Sequence, residues 1–172
     1  MPTRDLLTLA LAPLGAALGL AGVVSLGPWS PFAFDGATAR LGGGDSAGAI
    51  VELERLGKGW RTPALRAEAW RRAGLVRLAG GDPAGAARAF EHAVDLEPGA
   101  EARAELLRRL AALYEGPLGD HRACAEAFEQ AAAQGHPGSA DEADAARCWM
   151  SAALPGPAGA ALQRASARGE GA

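Results

Sequence analysis

The 172-residue sequence predicts an all-α fold, a short α-solenoid of antiparallel helix pairs preceded by one transmembrane helix. Three observations predict it. The stretch from Ala67 to Ala100 holds two amphipathic runs hinged at Gly80-Gly81-Asp82-Pro83, with apolar and small residues at the i, i+3, i+4 spacings of a helix face. The same pattern recurs on both sides of it. Leu6 to Gly27 contains no charged residue, and at ~1.5 Å per residue it is long enough to cross a hydrocarbon core of roughly 30 Å.

Composition bounds the function classes. A net charge of -3 leaves no basic excess for nucleic acid. A single Lys (Lys58), a single Ile (Ile50) and no Asn, beside abundant Ala, Gly and Arg, look like the codon bias of a GC-rich genome. Arguments from Ala or Gly alone lose weight accordingly. Two cysteines, Cys124 and Cys148, are too few for a disulfide framework and too sparse for a metal site.

Residues 1–27 form the expected membrane anchor. The backbone has no hydrogen-bond partner in lipid other than itself, so the segment is helical despite Pro13 and its glycines. A cleaved signal peptide is the competing reading, but the apolar run is long and the nearest small-x-small site, Ala37-Thr38-Ala39, lies well beyond its end. Arg4 and the terminal amine precede the span, with Asp5 partly offsetting them, which puts the N-terminus in the cytoplasm and the body outside. The expected location is the bacterial inner membrane, single-pass, with a periplasmic C-terminal domain. Trp29, Phe32 and Phe34 fit an interfacial aromatic collar. Gly15 and Gly19 form a GxxxG pair that could admit a second helix, although glycine is common throughout the chain.

Residues 28–63 hold a linker and a degenerate helical repeat. Gly43-Gly44-Asp45-Ser46-Ala47-Gly48-Ala49 aligns with Gly80-Gly81-Asp82-Pro83-Ala84-Gly85-Ala86, and each precedes an amphipathic helix. Gly44 to Gly48 also matches the G-x-S-x-G elbow of serine hydrolases. No strand precedes it, and Ser46 aligns with Pro83, so Ser46 belongs to a capping turn rather than to a nucleophile.

Residues 64–100 carry the clearest repeat. Asp82 is placed as N-cap with Pro83 at the first helical position, and Pro98 stops the second helix. Trp70, Gly74, Ala86, Phe90, Ala93 and Pro98 occupy positions that define the tetratricopeptide repeat (TPR), which this stretch resembles. Ala73 and Arg77 depart from it, standing where the pattern has Leu and Tyr. Residues 101–138 repeat the arrangement, with Leu107, Leu110, Ala111, Leu113 and Tyr114 in the first helix, Gly119-Asp120 at the turn, and Cys124, Phe128 and Ala131 in the second. Residues 139–154 form a helix with Ala146 and Trp149 at the positions of Gly74 and Arg77, read as the capping helix of the array. Residues 155–172 have few large apolar side chains and are expected to be a flexible tail.

The resemblance implies a protein–protein interaction module whose groove is lined by the first helix of each repeat. Carried over by position, the lining is Glu68, Arg71, Leu75, Leu78, then Glu105, Arg108, Ala112, then Arg147 and Met150. Arg71, Arg108 and Arg147 would suit a carboxylate-bearing segment, or they are solvated cations in a chain whose common cation is arginine. The carboxylate clamp of some family members requires Asn, which is missing here. No cofactor or metal is expected: His121 and Cys124 lie three apart, but no second ligand pair appears at metal spacing. Pairing of Cys124 with Cys148 stays open. The function that follows is a membrane-anchored scaffold or assembly factor of the cell envelope that binds another protein, or alternatively a structural accessory subunit of a larger membrane complex. An enzyme is not expected, since no nucleophile, base and orienting group come together.

Overall fold

The structure, a computed structural model, describes residues 33–59, 61–135 and 140–169. Eight helices and no strand form among them: α1 Asp35–Gly42, α2 Ser46–Lys58, α3 Pro63–Ala79, α4 Pro83–Leu96, α5 Ala100–Glu115, α6 His121–Ala133, α7 Asp141–Ser151 and α8 Pro155–Gly169. Each packs against the next in chain order, giving four helix pairs in a row. The Leu6 to Gly27 segment, the Gly15 and Gly19 pair, Trp29, Phe32 and Pro137 lie outside the described residues. No described helix is long and apolar enough to cross a membrane.

One turn, repeated, folds each pair back on itself. After α1 and α3, the Asp45 and Asp82 amides donate to the Arg40 and Arg77 carbonyls at 2.8 and 2.9 Å. These bonds close Schellman motifs whose left-handed residue is Gly44 (φ 81°) or Gly81 (φ 77°). The aspartate then caps the following helix, accepting from the Gly48 or Gly85 amide at 2.8 Å. The arginine that began the motif donates to the same carboxylate at 2.9 Å in both copies. The backbone amide first, and the arginine second, hold both carboxyls below their ordinary value. After α5 the turn is wider, with Gly119 at φ 66° and Asp120 capping through the Ala123 amide at 2.9 Å.

A fourth copy joins α7 to α8, where the sequence predicts that regular structure ends. Ala153 takes the left-handed position at φ 59°, the Leu154 amide donates to the Trp149 carbonyl at 2.9 Å, and Pro155 opens the helix. Pro155–Gly169 is therefore a helix rather than a flexible tail, and the helix before it is the first member of a pair rather than a terminal cap. The physical reason is that α8 buries only alanines, Ala158 and Ala161, and its remaining hold is polar. Arg164 donates to Glu142 at 2.9 Å and to Glu129 at 2.5 Å, and Arg168 donates to the Ala132 carbonyl at 3.0 Å. Such a helix leaves no large apolar stripe in the sequence.

The core is built mostly from alanine, with a few large side chains set into it. Trp70, Ala86, Phe90 and Ala93 are all buried. A Cβ on Gly74 would sit 2.7 Å from the Phe90 ring, and one on Gly57 of α2 would sit 2.4 Å from Trp70 Nε1. Glycine thus sets the α3–α4 and α2–α3 approaches by its lack of a side chain. Phe34 does not belong to an interfacial collar. It is buried and lies 4.2 Å beneath the Arg72 guanidinium in a cation–π contact.

Ala153→Gly tests the fourth turn. A non-glycine residue in the left-handed region costs roughly 1–2 kcal/mol, and glycine returns about 0.4–1 kcal/mol through greater freedom of the unfolded chain. The substitution should raise stability by roughly 0.5–1 kcal/mol in urea unfolding followed by circular dichroism. A flexible tail would register no stabilisation.

Candidate protein-binding surface

The groove residues expected from the sequence stand on the first helices of three pairs: Glu68, Arg71, Leu75 and Leu78 on α3, Glu105, Arg108 and Ala112 on α5, and Arg147 and Met150 on α7. The α3 group closes on itself. Glu68 receives Arg71 through two bonds of 2.6 and 2.8 Å and Arg72 through one of 2.5 Å. Burial alone would raise the Glu68 carboxyl, but the two guanidinium groups outweigh it and hold the group below the ordinary carboxylate value. Leu75 packs against the core, whereas Leu78 is exposed.

The α5 and α7 groups are drawn together. Arg108 grips Asp141 through two bonds, 2.8 and 2.9 Å, and Asp141 is only 2 % exposed. Arg147 reaches back to Glu115 and also pairs with Asp144 at 3.2 Å. Glu105 pairs with Arg109 at 3.1 Å, while Ala112 and Met150 face solvent. None of the three arginines suggested as anchors for an acidic segment presents an unpaired guanidinium. Each is tied to a carboxylate of this chain, and the uncharged groove positions left exposed on these helices are Leu78, Ala112 and Met150.

Sequence reasoning missed a recurring tie between consecutive pairs. Arg77 on α3 donates to Glu54 on α2 at 2.5 Å. In the equivalent place Tyr114 on α5 donates its hydroxyl to Glu91 on α4, and Trp149 on α7 donates Nε1 to Glu129 on α6 at 3.1 Å. Arg77, which stands where the repeat pattern has Tyr, thus brings a charged donor where the next pair uses a phenol. Burial first, and Glu91 second, raise the Tyr114 hydroxyl above its ordinary pKa, keeping it a donor. The recurrence of glutamate at positions 54, 91 and 129 is the signal that could have exposed the tie.

Cys124 on α6 and Cys148 on α7 are joined as a disulfide, with Cα atoms 5.9 Å apart, and both are fully buried. The pairing that the sequence left open is thus closed across two helix pairs. Glu115 has an oxygen within 4.8 Å of both sulfurs, but disulfide sulfurs are not the thiolates that bind metals. Ser46 is the first residue of α2, behind the Asp45 cap and after a helix, not at a strand-to-helix elbow.

Paired antiparallel helices stacked in chain order and tied pair to pair define a helical-repeat protein of TPR-like fold. Two crystal structures of MamA share it: one aligns with a TM-score of 0.53 at 17% identity, covering 80% of this chain and 76% of that one. The other aligns with a TM-score of 0.52 at 17% identity, covering 80% and 71%. No protein-family model matches the chain, and no curated protein matches it in sequence.

Arg108→Ala should strand the buried Asp141 carboxylate. The expected loss is roughly 2–3 kcal/mol in urea unfolding, below the ~3–5 kcal/mol of a fully buried pair because the guanidinium is partly exposed. Adding Asp141→Asn removes the stranded charge and should recover part of it. Equal stabilities for both variants and the parent would show that the pair contributes nothing.

Proposed function

We propose that this chain is a membrane-anchored TPR-like module for protein–protein interaction, a scaffold or assembly factor in a bacterial cell envelope. The observation that carries the reading is the array itself. Four helix pairs in register offer an extended surface, and Leu78 and Met150 stay 40% and 59% exposed on first helices whose groove arginines, Arg71, Arg108 and Arg147, are paired with carboxylates of this chain. The likeness to the MamA structures supports the fold on which this rests. Attachment through Leu6 to Gly27 to the inner membrane, with the body in the periplasm, is part of the same proposal. The Cys124–Cys148 disulfide supports it, since such bonds persist in oxidising compartments. Helix pairing through Gly15 and Gly19 would add a contact within the membrane.

A second reading, a structural accessory subunit of a larger membrane complex, is favoured by the ends of the array. Val51 on α2 is 68% exposed and Leu162 on α8 is 54% exposed, as expected of faces that lean on neighbours.

Cross-linking the tagged full-length chain in intact membranes, followed by mass spectrometry, separates the two. A substoichiometric partner supports the scaffold, a stoichiometric set of membrane proteins supports the subunit, and no cross-linked protein contradicts both. In the same cells, acid-trapped thiols tested by alkylation should be unreactive at Cys124 and Cys148 until reduced. Complete alkylation without reductant would overturn the periplasmic placement.

A further inference from the structure

The strongest unassigned feature lies on the second helices, away from the arginines of α3, α5 and α7. Between α4 and α6 the array opens into a cleft of about 180 Å3 above α5. Its floor is apolar, with Leu107 and Leu110 buried and Val94 half-buried beside them. Its walls are acidic. Glu91 and Asp95 stand one turn apart on α4, opposite Glu126 and Gln130, one turn apart on α6. All four are exposed at the rim.

Size and charge restrict what fits. Small-molecule pockets run to roughly 300–1,000 Å3, so this cleft suits one long side chain better than a whole ligand. The Tyr114 hydroxyl, which could have served a polar guest, is already given to Glu91. Glu91 keeps its second carboxylate oxygen for another donor. Arg122 pairs with Glu126 at 2.8 Å, but both side chains are exposed, at 72% and 47%, so the contact is weak and exchangeable. A guest with an apolar stem and a cationic head would match floor and rim together. A guanidinium matches best, because its planar fork can donate to both walls at once.

We propose that this cleft receives an arginine side chain of a partner polypeptide, its methylene stem lying on Leu107 and Leu110 and its guanidinium bridging Glu91, Asp95 and Glu126. The proposal rests on the interaction-module reading and names the chemistry of the partner. It reverses the sign suggested by the sequence: the groove arginines are spent on internal carboxylates, whereas the cleft carboxylates keep acceptor oxygens at an exposed rim.

The test uses the full chain in detergent micelles and a fluorescent amphipathic peptide bearing two arginines one helical turn apart, with binding read by anisotropy. Replacing both arginines by glutamine should weaken binding about tenfold or more, and so should the variant Asp95→Asn/Glu126→Gln. Asp95 and Glu126 are exposed and take no part in the Tyr114–Glu91 tie, so the neutralised variant keeps the parental thermal melt. A second variant, Asp95→Lys/Glu126→Lys, should prefer the peptide with glutamates in place of the arginines. No binding of the arginine peptide, or equal affinity for the parent and the neutralised variant, would overturn the proposal. The cross-linking experiment separates this failure from a broader one. A partner captured equally by the parent and the neutralised chain rejects the cleft while leaving the interaction reading standing, and an absence of any captured partner rejects that reading itself.

Discussion

At one position in each of three successive pairs, a side chain on the first helix hands a proton donor to a glutamate on the second helix of the pair before. Arg77 meets Glu54, Tyr114 meets Glu91, and Trp149 meets Glu129. The donors differ in charge, size and shape, yet the acceptor is the same and its spacing follows the repeat. A tight turn fixes the geometry within a helix pair, whereas the stacking of pairs is specified by what passes between them. These ties supply alignment where an alanine-rich interface supplies little. Alanine contacts bury small areas, each contributing modestly at about 25 cal/mol per Å2, and they fit at many registers. A directional bond to a fixed glutamate does not.

The C-terminal end carries the same logic furthest. Between α6 and α7 the glutamate tie is reinforced by the Cys124–Cys148 disulfide, and from α5 the Arg108–Asp141 pair reaches α7 across the array. The first turn of α7 holds two buried carboxylates, Asp141 and Glu142. Negative charge is favourable at a helix N-terminus, but burial is tolerable only with partners, which Arg108, Arg164 and Arg168 provide. Helix α8 is consequently held by charge and small-residue contact. With the groove arginines thus occupied, exposed apolar side chains on the first helices and the acidic cleft over α5 are the surfaces to which the proposed partner contact is assigned.

Legibility in the sequence followed the range of the interaction. The turns were readable because their chemistry is local: Gly81, Asp82 and Pro83 each have a conformational role within a few residues. So were Trp70, Gly74 and Phe90, whose spacing is that of one helix pair. The fourth turn escaped because Ala153 does a glycine's work, and α8 because its partners Glu129 and Glu142 lie 35 and 22 residues away. The groove arginines stand on the first helices of their pairs, and their carboxylate partners were not legible for the same reason. Asp141 is 33 residues from Arg108, and nothing local reveals that a buried carboxylate waits there. The acidic cleft needs α4, α5 and α6 together, so no single stretch announces it.

Native-state hydrogen exchange across the full chain bears most directly on whether these ties make one array. The account predicts that amides of Pro155–Gly169 are protected, and that the slowest amides of α3 through α8 share a common opening free energy, as a coupled unit does. Exchange of residues 155–169 at the rate of unstructured chain, or a separate and much lower opening energy for α7 and α8, would contradict it.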